Sequence, residues 1–538
     1  MDTSVPVPAH LRRYVVEQNY AAYTSRDQAV WRFVLLQTHA RLLQRAHPAY
    51  AAGFAAAGIE VDRIPHIARM SEQLAATSFR TVCVDGFIPP RAFQAFQARG
   101  LLPIAADIRS AEHLAYTPAP DIIHEAAGHA PFLANADYAR FLRRIGALSE
   151  RAFENAQDRR LYDAIHLLSE LKEDPASTPA QVQRAEAQLA SVKAESSELS
   201  EATRMARLYW WTVEYGLIGT LTDFRLYGAG LLSSIGEAHF CQRPNVQKRW
   251  LDASCVEQDY DITRSQPQLF VARSFGDLER VLDEVARGAS RGAAALEQAR
   301  RSEDVATLEL PGGLAITGGV HDFSREHVAL RGPCRISRDG RVLDGLPETD
   351  GYLLPLGIEL DALRRDGRVR VAGLELSGTL VRQQDGVAWL RDVEVTHAGA
   401  PVLRASSYPL LLAEHVVTAS AAVPDGFYPA TPFAGTRVPK PRSYADAERH
   451  LLALHEQVTE LMQARLGAEA VRPLHRALDL YPHEWLLRWN LLEALVVAGQ
   501  SRHALARTLG EELEQLELRY AHREPIATGL AQLRALTS

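Results

Sequence analysis

The chain has 538 residues, a length that favours roughly two to four domains of ordinary size. Its 59 basic and 66 acidic side chains give a net charge of −7, so we expect no nucleic-acid partner and no anionic membrane surface as partner. Four cysteines are too few for a disulfide framework and lack zinc-ribbon spacing, which favours a reducing, cytoplasmic setting. The N-terminus predicts no signal peptide, and no apolar run is long enough to predict a membrane span.

Residues 1–300 have the pattern of a mainly helical domain with a few short strands. Apolar residues recur at helical spacing in 30–35 and in 141–148. The stretch from about 150 to 200 is rich in Ala, Glu, Gln and Arg and predicts an exposed helical hairpin inserted into this domain. Within it, Thr178 is expected to be an N-cap, with Pro179 at the first helical position.

Two further domains are predicted after residue 300. Residues 305–428 contain short β-type runs, and Asp-Gly pairs at 339–340, 366–367 and 385–386 predict hairpin turns. We therefore expect an antiparallel β-rich accessory domain there, a small barrel or sandwich. Residues 429–442 predict a linker, and residues 443–538 predict a C-terminal helical domain in the form of a small bundle. The predicted fold class is thus multidomain: mainly α, then antiparallel β, then α.

The segment PDIIHEAAGHAP, residues 120–131, contains a candidate metal site. His124 and His129 are five residues apart, which is about 140° around a regular α-helix. Zinc proteases instead space their two histidines four apart. Both rings can bind one ion only at a helix end or a local distortion, which Gly128 would permit. Asp121 is interpreted as an N-cap rather than a ligand.

Glu214, in RLYWWTVEYGLIG, is a third candidate ligand because it is one carboxylate in an apolar, aromatic segment. A buried, unpaired carboxylate is costly, and a divalent cation would offset that cost. Two imidazoles and one carboxylate suit non-haem Fe(II) that activates O₂. Spacing alone leaves other readings open: an ordinary histidine pair, or a Glu214 at a helix end or paired with Arg207 or Arg225.

Three separated blocks, PDIIHEAAGHAP, RLYWWTVEYGLIG and LYGAGLLSSIGEAHFC, resemble the signature of the pterin-dependent aromatic amino acid hydroxylases. The resemblance extends from about residue 8 to 290. At Pro103, near the implied pterin site, the chain resembles the bacterial members of the family. It implies a mainly helical catalytic domain containing a deep iron site. It also implies a monooxygenase that uses Fe(II), tetrahydropterin (tetrahydrobiopterin or a related pterin) and O₂ on a free aromatic amino acid. Among members it most resembles those that convert L-phenylalanine to L-tyrosine.

The same resemblance implies individual roles. Arg109 would pair with the substrate α-carboxylate, Phe93 would stack on the pterin, and Glu125 would orient it. The implied iron ligands are His124, His129 and Glu214. The implied substrate positions are Arg109, Tyr116, Thr117, Pro120, Trp210, Ser233 and Ser234. The implied pterin positions are Gly86, Ile88, Phe93, Glu125, Ala206 and Tyr209. Tyr215 stands near the substrate ring, where a Phe is commoner.

Alternatives remain at this point. A tryptophan or tyrosine hydroxylase of the same family fits the same blocks. A zinc-dependent hydrolase would use Glu125 as general base, and a non-catalytic scaffold would use the C-terminal domains to bind a partner. The expected partner of the favoured reading is a small molecule, and the C-terminal region is a candidate for homo-oligomerisation.

Overall fold

The computed structural model describes residues 7–86, 88–111, 114, 120–173, 177–195, 198–261, 265–346, 348–371, 373–428, 444–516 and 526–531. The N-terminal region, here residues 7–302, consists mainly of helices, as predicted. They are α1 (Ser25–Arg45), α2 (Ala49–Ala56), α3 (Ile67–Gln73), α4 (Pro90–Ala98), α5 (Ala136–Arg151), α6 (Ala156–Glu173), α7 (Pro179–Ala194), α8 (Glu201–Tyr209), α9 (Ala229–Ser233), α10 (Ile235–Phe240), α11 (Phe275–Arg287) and α12 (Ala293–Ser302). The apolar stretches 30–35 and 141–148 lie in α1 and α5, so both helix predictions are confirmed.

Two small sheets complete this region. Their strands are β1 (Arg80–Val84), β2 (Leu101–Ala105), β3 (Leu217–Gly219), β4 (Phe224–Leu226), β5 (Gln247–Trp250) and β6 (Gln268–Ala272). β1 and β2 pair in parallel, and β4-β3-β6-β5 form a mixed sheet. Because β2 is buried along its whole length, it provides a fixed wall behind the helices that carry the candidate site.

The inserted segment is a hairpin of α6 and α7 with its own small apolar cluster. Thr178 accepts a hydrogen bond from the Gln181 amide and forms a capping box, with Pro179 at the first helical position. The predicted start of α7 is therefore confirmed, and its cause is local: the cap satisfies amides that a helix leaves free at its N-terminus.

The β region, residues 305–428, contains two antiparallel sheets that share one apolar cluster. The strands of the larger sheet are β7 (Val305–Glu309), β8 (Leu314–Phe323), β9 (His327–Arg338), β10 (Arg341–Val342), β11 (Thr349–Pro355) and β16 (Thr418–Ser420). Those of the smaller sheet are β12 (Arg368–Val371), β13 (Leu374–Gln384), β14 (Val387–His397) and β15 (Ala400–Leu411). Helix α13 (Leu360–Asp366) joins the two sheets.

The three Asp-Gly pairs do not all form the same structure. At 339–340 and 385–386 both residues have positive φ and connect consecutive antiparallel strands, as predicted. At 366–367 the hairpin prediction is wrong. Asp366 is the last residue of α13, and Gly367 ends that helix in the left-handed conformation, with φ of 63°. The same dipeptide therefore serves as a helix C-terminus here.

The N-terminal region and the β region share residues of one core. Ala295, Leu296 and Ala299 of α12 lie in the apolar cluster of the two β sheets, together with Phe153 from the segment after α5. The last helix of the N-terminal region thus packs as part of the β region. This shared core fixes the β region against the ends of α5 and α12.

The C-terminal helical region, residues 444–531, returns to helix as predicted, with α14 (Asp446–Gln463), α15 (Ala468–Ala477), α16 (Trp485–Val497) and α17 (Ala504–Gln515). It packs on α1: Phe33 lies with its ring centroid 5.0 Å from those of Trp485 and Trp489. Beside these rings, buried Arg32 donates from Nε to Glu493 Oε1 at 3.0 Å. The predicted linker 429–442 lies outside the described residues.

All four cysteines are buried, and none of them is in a disulfide bond. Among the helices that the structure describes, none combines the length and apolar character needed to cross a bilayer.

Candidate metal centre

The two histidines lie on a π-helix, Ile123–His129, called here the first π segment. A π-helix bonds residues i and i+5, so residues five apart lie above one another rather than on different faces. The ring centroids of His124 and His129 are 4.9 Å apart. The i, i+5 spacing therefore has its physical cause in this distortion of the helix.

Glu214 is the last residue of a second π segment, Trp210–Glu214, which continues directly from α8. Its Oε2 lies 3.3 Å from His124 Nε2, and its Oε1 lies 3.2 Å from His129 Nε2. One ligand atom from each of the three residues lies within 4.8 Å of the other two. The structure thus brings together the three residues that the sequence analysis proposed as ligands.

The arginines considered as partners of Glu214 bind elsewhere. Arg207 donates to the Val256 carbonyl and pairs with Asp259, and Arg225 donates to the Gln44 carbonyl. The side chains in contact with Glu214 are instead those of His124 and His129.

The surroundings of His129 fit a bound cation. Its side chain is 0% exposed, and among the described residues neither ring nitrogen has a hydrogen-bond partner apart from the 3.2 Å contact of Nε2 with Glu214 Oε1. Buried polar atoms are normally paired, and a metal ion on Nε2 would supply the missing partner. Burial lowers the pKa of His129, which favours the neutral, metal-binding imidazole. Burial raises the pKa of Glu214, but His129 and His124 outweigh it and hold that pKa well below its usual value.

Ser233, at the end of α9, fixes the ring of His124. Its Oγ donates to the Ala229 carbonyl at 2.8 Å and lies 3.0 Å from His124 Nδ1. Because the single hydroxyl proton is used on Ala229, the serine oxygen accepts from Nδ1–H. The proton on Nδ1 leaves the lone pair of Nε2 directed at Glu214 and the space between the ligands.

Replacing Ser233 with alanine is expected to lower Fe(II) affinity about 10–100-fold, because groups that orient a metal-binding histidine have effects of this size. Competition with a calibrated chelator measures it. Ser337→Ala is the matched control: Ser337 is 1% exposed, against 2% for Ser233, and its hydroxyl has no hydrogen-bond partner among the described residues. Equal iron affinity in the two variants would contradict the role of Ser233.

Asp121 connects the histidine segment to Arg109. As expected of an N-cap, its Oδ1 accepts from the His124 amide at 3.0 Å. It also accepts from Arg109 through the backbone N, Nε and Nη2, at 2.9, 2.8 and 2.7 Å. Arg109 Nη1 donates to the Ser233 carbonyl at 3.2 Å. The guanidinium predicted to bind a substrate carboxylate is thus held by Asp121, a partner that the sequence did not reveal.

Three predicted pterin positions border this site. The ring centroid of Phe93, on α4, lies 6.0 Å from that of His129. Glu125 is buried and accepts from the Ala105 amide of β2, and burial raises its pKa well above its usual value. Tyr209 is also buried, and its hydroxyl is held by Gln97, whose Nε2 lies at 2.7 Å.

The other predicted positions lie on several elements of the N-terminal region. Gly86 and buried Ile88 lie in the loop between β1 and α4, and Ala206 is half-buried on α8. Pro120 is half-buried just before the first π segment, and Ser234 caps α10 by accepting from the Glu237 amide. Tyr116 and Thr117 lie outside the described residues.

Trp210 stands in a stack of aromatic rings beside Glu214. Its ring lies 4.6 Å from that of Tyr215 and 4.3 Å from that of Tyr260, at interplanar angles of 26° and 12°. Tyr260 was not singled out from the sequence, although it lies within the part of the chain, from about residue 8 to 290, over which the family resemblance extends. Its ring adds a third member to the aromatic stack beside Glu214.

Gly128 matters for close packing rather than for backbone freedom, the reason that the sequence suggested. A Cβ at Gly128 would lie 2.7 Å from the Ala229 carbonyl oxygen. This contact joins the first π segment to α9, the helix that ends in Ser233. Gly228, one residue before α9, is equally confined, since a Cβ there would lie 2.4 Å from the Glu214 carbonyl oxygen.

Gly128→Ala is therefore expected to lower the free energy of unfolding by about 1–3 kcal/mol, the usual cost of overpacking a core. Urea unfolding measures the loss. In Gly510→Ala, a Cβ on α17 meets nothing within 4 Å, so that variant is expected to be slightly more stable than the parent. A Gly128→Ala protein as stable as the parent would show that the π segment can move away from α9.

The sequence model of the biopterin-dependent aromatic amino acid hydroxylases matches residues 13–162 and 178–299, just over half of the chain. The phenylalanine-4-hydroxylase of Chromobacterium violaceum is 29% identical over 230 residues, which are 42% of this chain and 62% of that protein. That of Bos taurus is 30% identical over 223 residues, 41% of this chain and 39% of that protein. That of Caulobacter vibrioides is 25% identical over 331 residues, 61% of this chain and 96% of that protein. The chain thus spans less than two thirds of the first two relatives.

Solved structures of similar proteins include the Chromobacterium violaceum phenylalanine hydroxylase with bound iron(III) and oxidised 7,8-dihydrobiopterin. It has 25% identity and a TM-score of 0.39, over 53% of this chain and 94% of that chain. The phenylalanine hydroxylase of Legionella pneumophila has 26% identity and a TM-score of 0.36, over 48% of this chain and 97% of that chain. Membership rests on the sequence match and not on these scores. The chain belongs to the biopterin-dependent aromatic amino acid hydroxylases.

Proposed function

We propose that this protein is a monooxygenase that converts L-phenylalanine to L-tyrosine with O₂, Fe(II) and a tetrahydropterin. The observation that carries the proposal is the convergence of His124, His129 and Glu214, with ligand atoms within 4.8 Å of one another, in a chain of this family. The similar proteins of Chromobacterium violaceum and Caulobacter vibrioides are named phenylalanine-4-hydroxylases, which supports phenylalanine as the substrate. Tyrosine or tryptophan hydroxylation is the alternative within the family.

His124, His129 and Glu214 would hold Fe(II) on one face and leave adjacent positions open. When bound, the tetrahydropterin would supply the two electrons that reduce O₂, and iron would activate the O₂ that provides the oxygen atom entering the aromatic ring. The protein's own part is to hold the ligands in register and to exclude water. Ser233 keeps Nε2 of His124 unprotonated, and Asp121 holds the amide of His124 in place.

For the pterin, we propose a site formed by Gly86, Ile88, Phe93, Glu125, Ala206 and Tyr209. The 6.0 Å separation of the Phe93 and His129 rings supports a stacked pterin beside the metal. Glu125 is buried against the Ala105 amide, so it would act by orienting groups near the pterin. The same burial disfavours the zinc-hydrolase reading, which needs an accessible, ionised general base at Glu125.

For the amino acid, we propose that Arg109 binds the α-carboxylate while Asp121 fixes the guanidinium from the other side. Three of the five side-chain N–H groups of Arg109 are donated within the protein: those on Nε and Nη2 to Asp121, and one on Nη1 to the Ser233 carbonyl. These bonds hold the guanidinium group in one orientation. Trp210 and the rings stacked on it would form the wall against which the substrate ring lies. The remaining proposed substrate positions are Tyr116, Thr117, Pro120, Ser233 and Ser234.

The test is a hydroxylation assay of the full chain with ferrous iron, a tetrahydropterin and each of the three aromatic amino acids. Tyrosine from phenylalanine is the expected product. If product forms only from tyrosine or tryptophan, the proposed substrate is wrong, but the proposed hydroxylation reaction stands. An iron-loaded protein that yields no product from any of the three would refute the proposal and favour a non-catalytic scaffold.

We propose three functional units: a catalytic unit in residues 1–300 with an insertion at about 150–200, a two-sheet β unit in 305–428, and a helical unit in 443–538. We propose the cytoplasm as its location and a small molecule, an aromatic amino acid, as its partner. Self-association would use faces of the C-terminal helical region other than that of α16, which is buried against α1. Leu480, 70% exposed, is such a position. A Leu480→Glu variant with an unchanged sedimentation coefficient would argue against association through that face.

A further inference from the structure

The last strand of the β region ends at the helix that carries the proposed pterin platform. Ala421 follows β16 and is 3% exposed. Its carbonyl accepts from the guanidinium of Arg91, the second residue of α4. Its amide donates to the carbonyl of Arg151, at the end of α5, at 2.9 Å. One residue of the β region therefore bridges the start of α4 and the end of α5.

The position of Arg91 is unfavourable within its own helix. It lies in the first turn of α4, where the partial positive charge of the helix terminus repels a cation. Its stabilising contacts must therefore come from outside α4. Among the described residues, the Ala421 carbonyl accepts a hydrogen bond from Arg91, and the carboxylate of Glu154 attracts its charge. Burial raises the pKa of Glu154, and Arg91 acts in the opposite direction by favouring the ionised carboxylate.

The geometry of α4 places the β region and the metal centre on opposite sides of one turn. Arg91 and Phe93 are two residues apart, which is about 200° around an α-helix. Arg91 points to Ala421, and Phe93 lies 6.0 Å from the ring of His129. A rotation of this turn would therefore move Phe93 relative to the metal.

The partner of Arg91 is itself held firmly by the larger sheet. Ser420 pairs with Thr307 of β7, and Thr307 Oγ1 donates to the Ala422 carbonyl at 2.6 Å. The carbonyl that accepts from Arg91 thus lies between two backbone positions fixed by the sheet.

We propose that Arg91 is a positioning residue through which the β region sets the orientation of Phe93 against the pterin. The proposal rests on the proposed function, because Phe93 acts on the pterin only in an enzyme of that kind. It gives residues 305–428 a role in cofactor binding, although they lie beyond the part of the chain that the family model matches.

The first experiment compares Arg91→Ala and Arg91→Lys in the full chain. Arg91→Ala is expected to raise the KM for tetrahydropterin about tenfold, the effect of losing one hydrogen bond from a charged group, while the KM for phenylalanine and the iron content stay unchanged. Arg91→Lys, which keeps a cationic donor, should restore most of the loss. Arg159→Ala is the matched control, because Arg159 also lies in the field of Glu154 but donates to the Ser302 carbonyl, at 2.9 Å, instead of to Ala421. An unchanged pterin KM in Arg91→Ala, or an equal rise in Arg159→Ala, overturns the proposal.

The second experiment tests the route through the β region. Thr307→Val removes the donor to Ala422 and should raise the pterin KM in the same direction. The double variant with Arg91→Ala should show less than the sum of the two effects, since both act through one segment. Additive effects would overturn the shared route.

Hydrogen exchange separates this proposal from the proposed function. The amides of 91–98 should exchange faster in Arg91→Ala than in the parent, whether or not the parent hydroxylates any amino acid. If the parent hydroxylates no amino acid but these amides exchange faster in Arg91→Ala, the proposed function is refuted and the Arg91–Ala421 contact is not. If amide exchange is unchanged in Arg91→Ala, the Arg91–Ala421 contact itself is refuted.

Discussion

Glu214→Ala is expected to leave a folded protein that retains almost no iron and forms almost no product. Glu214 is the only carboxylate in the ligand set, and its two oxygens face Nε2 of both histidines. Losing a group that merely orients a ligand lowers metal affinity about 10–100-fold. Losing the ligand itself should therefore exceed about 100-fold. Iron content after dialysis and the rate of tyrosine formation are the measurements.

Glu493→Gln is the control that separates metal loss from general destabilisation. Glu493 is also a buried carboxylate, 8% exposed, but it pairs with Arg32 between α1 and the C-terminal helical region. This variant should unfold more easily and still bind iron. Full iron occupancy in Glu214→Ala would exclude Glu214 from the ligand set.

Asp121→Asn is expected to cost about 3–5 kcal/mol in the free energy of unfolding. Arg109 and Asp121 are 1% and 5% exposed, and removing the charge of one partner leaves the other charge buried and uncompensated. The new amide group would also place a donor against the donors of Arg109. Since Asp121 holds the His124 amide, iron affinity should fall with stability. Urea denaturation and chelator competition measure the two effects.

Asp137→Asn provides the same substitution in an exposed pair. Asp137 and Arg140 lie 2.8 Å apart, nearly the same as the 2.7 Å of the buried pair, but their side chains are 60% and 56% exposed. Solvent screening makes such a pair weak, so this variant should unfold almost like the parent. Similar losses in the two variants would mean that burial does not set the strength of the Arg109–Asp121 pair.

The candidate ligands could be predicted from the sequence because each stands among residues of unlike chemistry. Two histidines lie beside small residues, and one glutamate lies among aromatic residues. The π conformation could not be predicted, because a prediction from residue spacing assumes the regular geometry of an α-helix. The spacing required some distortion, and only the backbone shows that both ligand segments adopt the same kind.

The role of Asp121 was predictable only in part. Its position before the helix predicts a cap, and it does accept from the His124 amide. Its bond to Arg109 joins side chains that are 12 residues apart in the chain, a tertiary contact that local pattern does not encode. For the same reason Asp366–Gly367 resembled a hairpin turn, although the helix that precedes it uses the pair as its end.

The contact between α1 and α16 has a consequence for biosynthesis. Phe33 and Arg32 find their partners Trp485, Trp489 and Glu493 only in the last hundred residues. Ribosomes add about 5–20 residues per second, so this face of α1 waits about 20 to 90 seconds before its cover is synthesised. During that interval the nascent chain presents an apolar and charged surface to chaperones, and messages truncated before α16 would yield chains prone to aggregate.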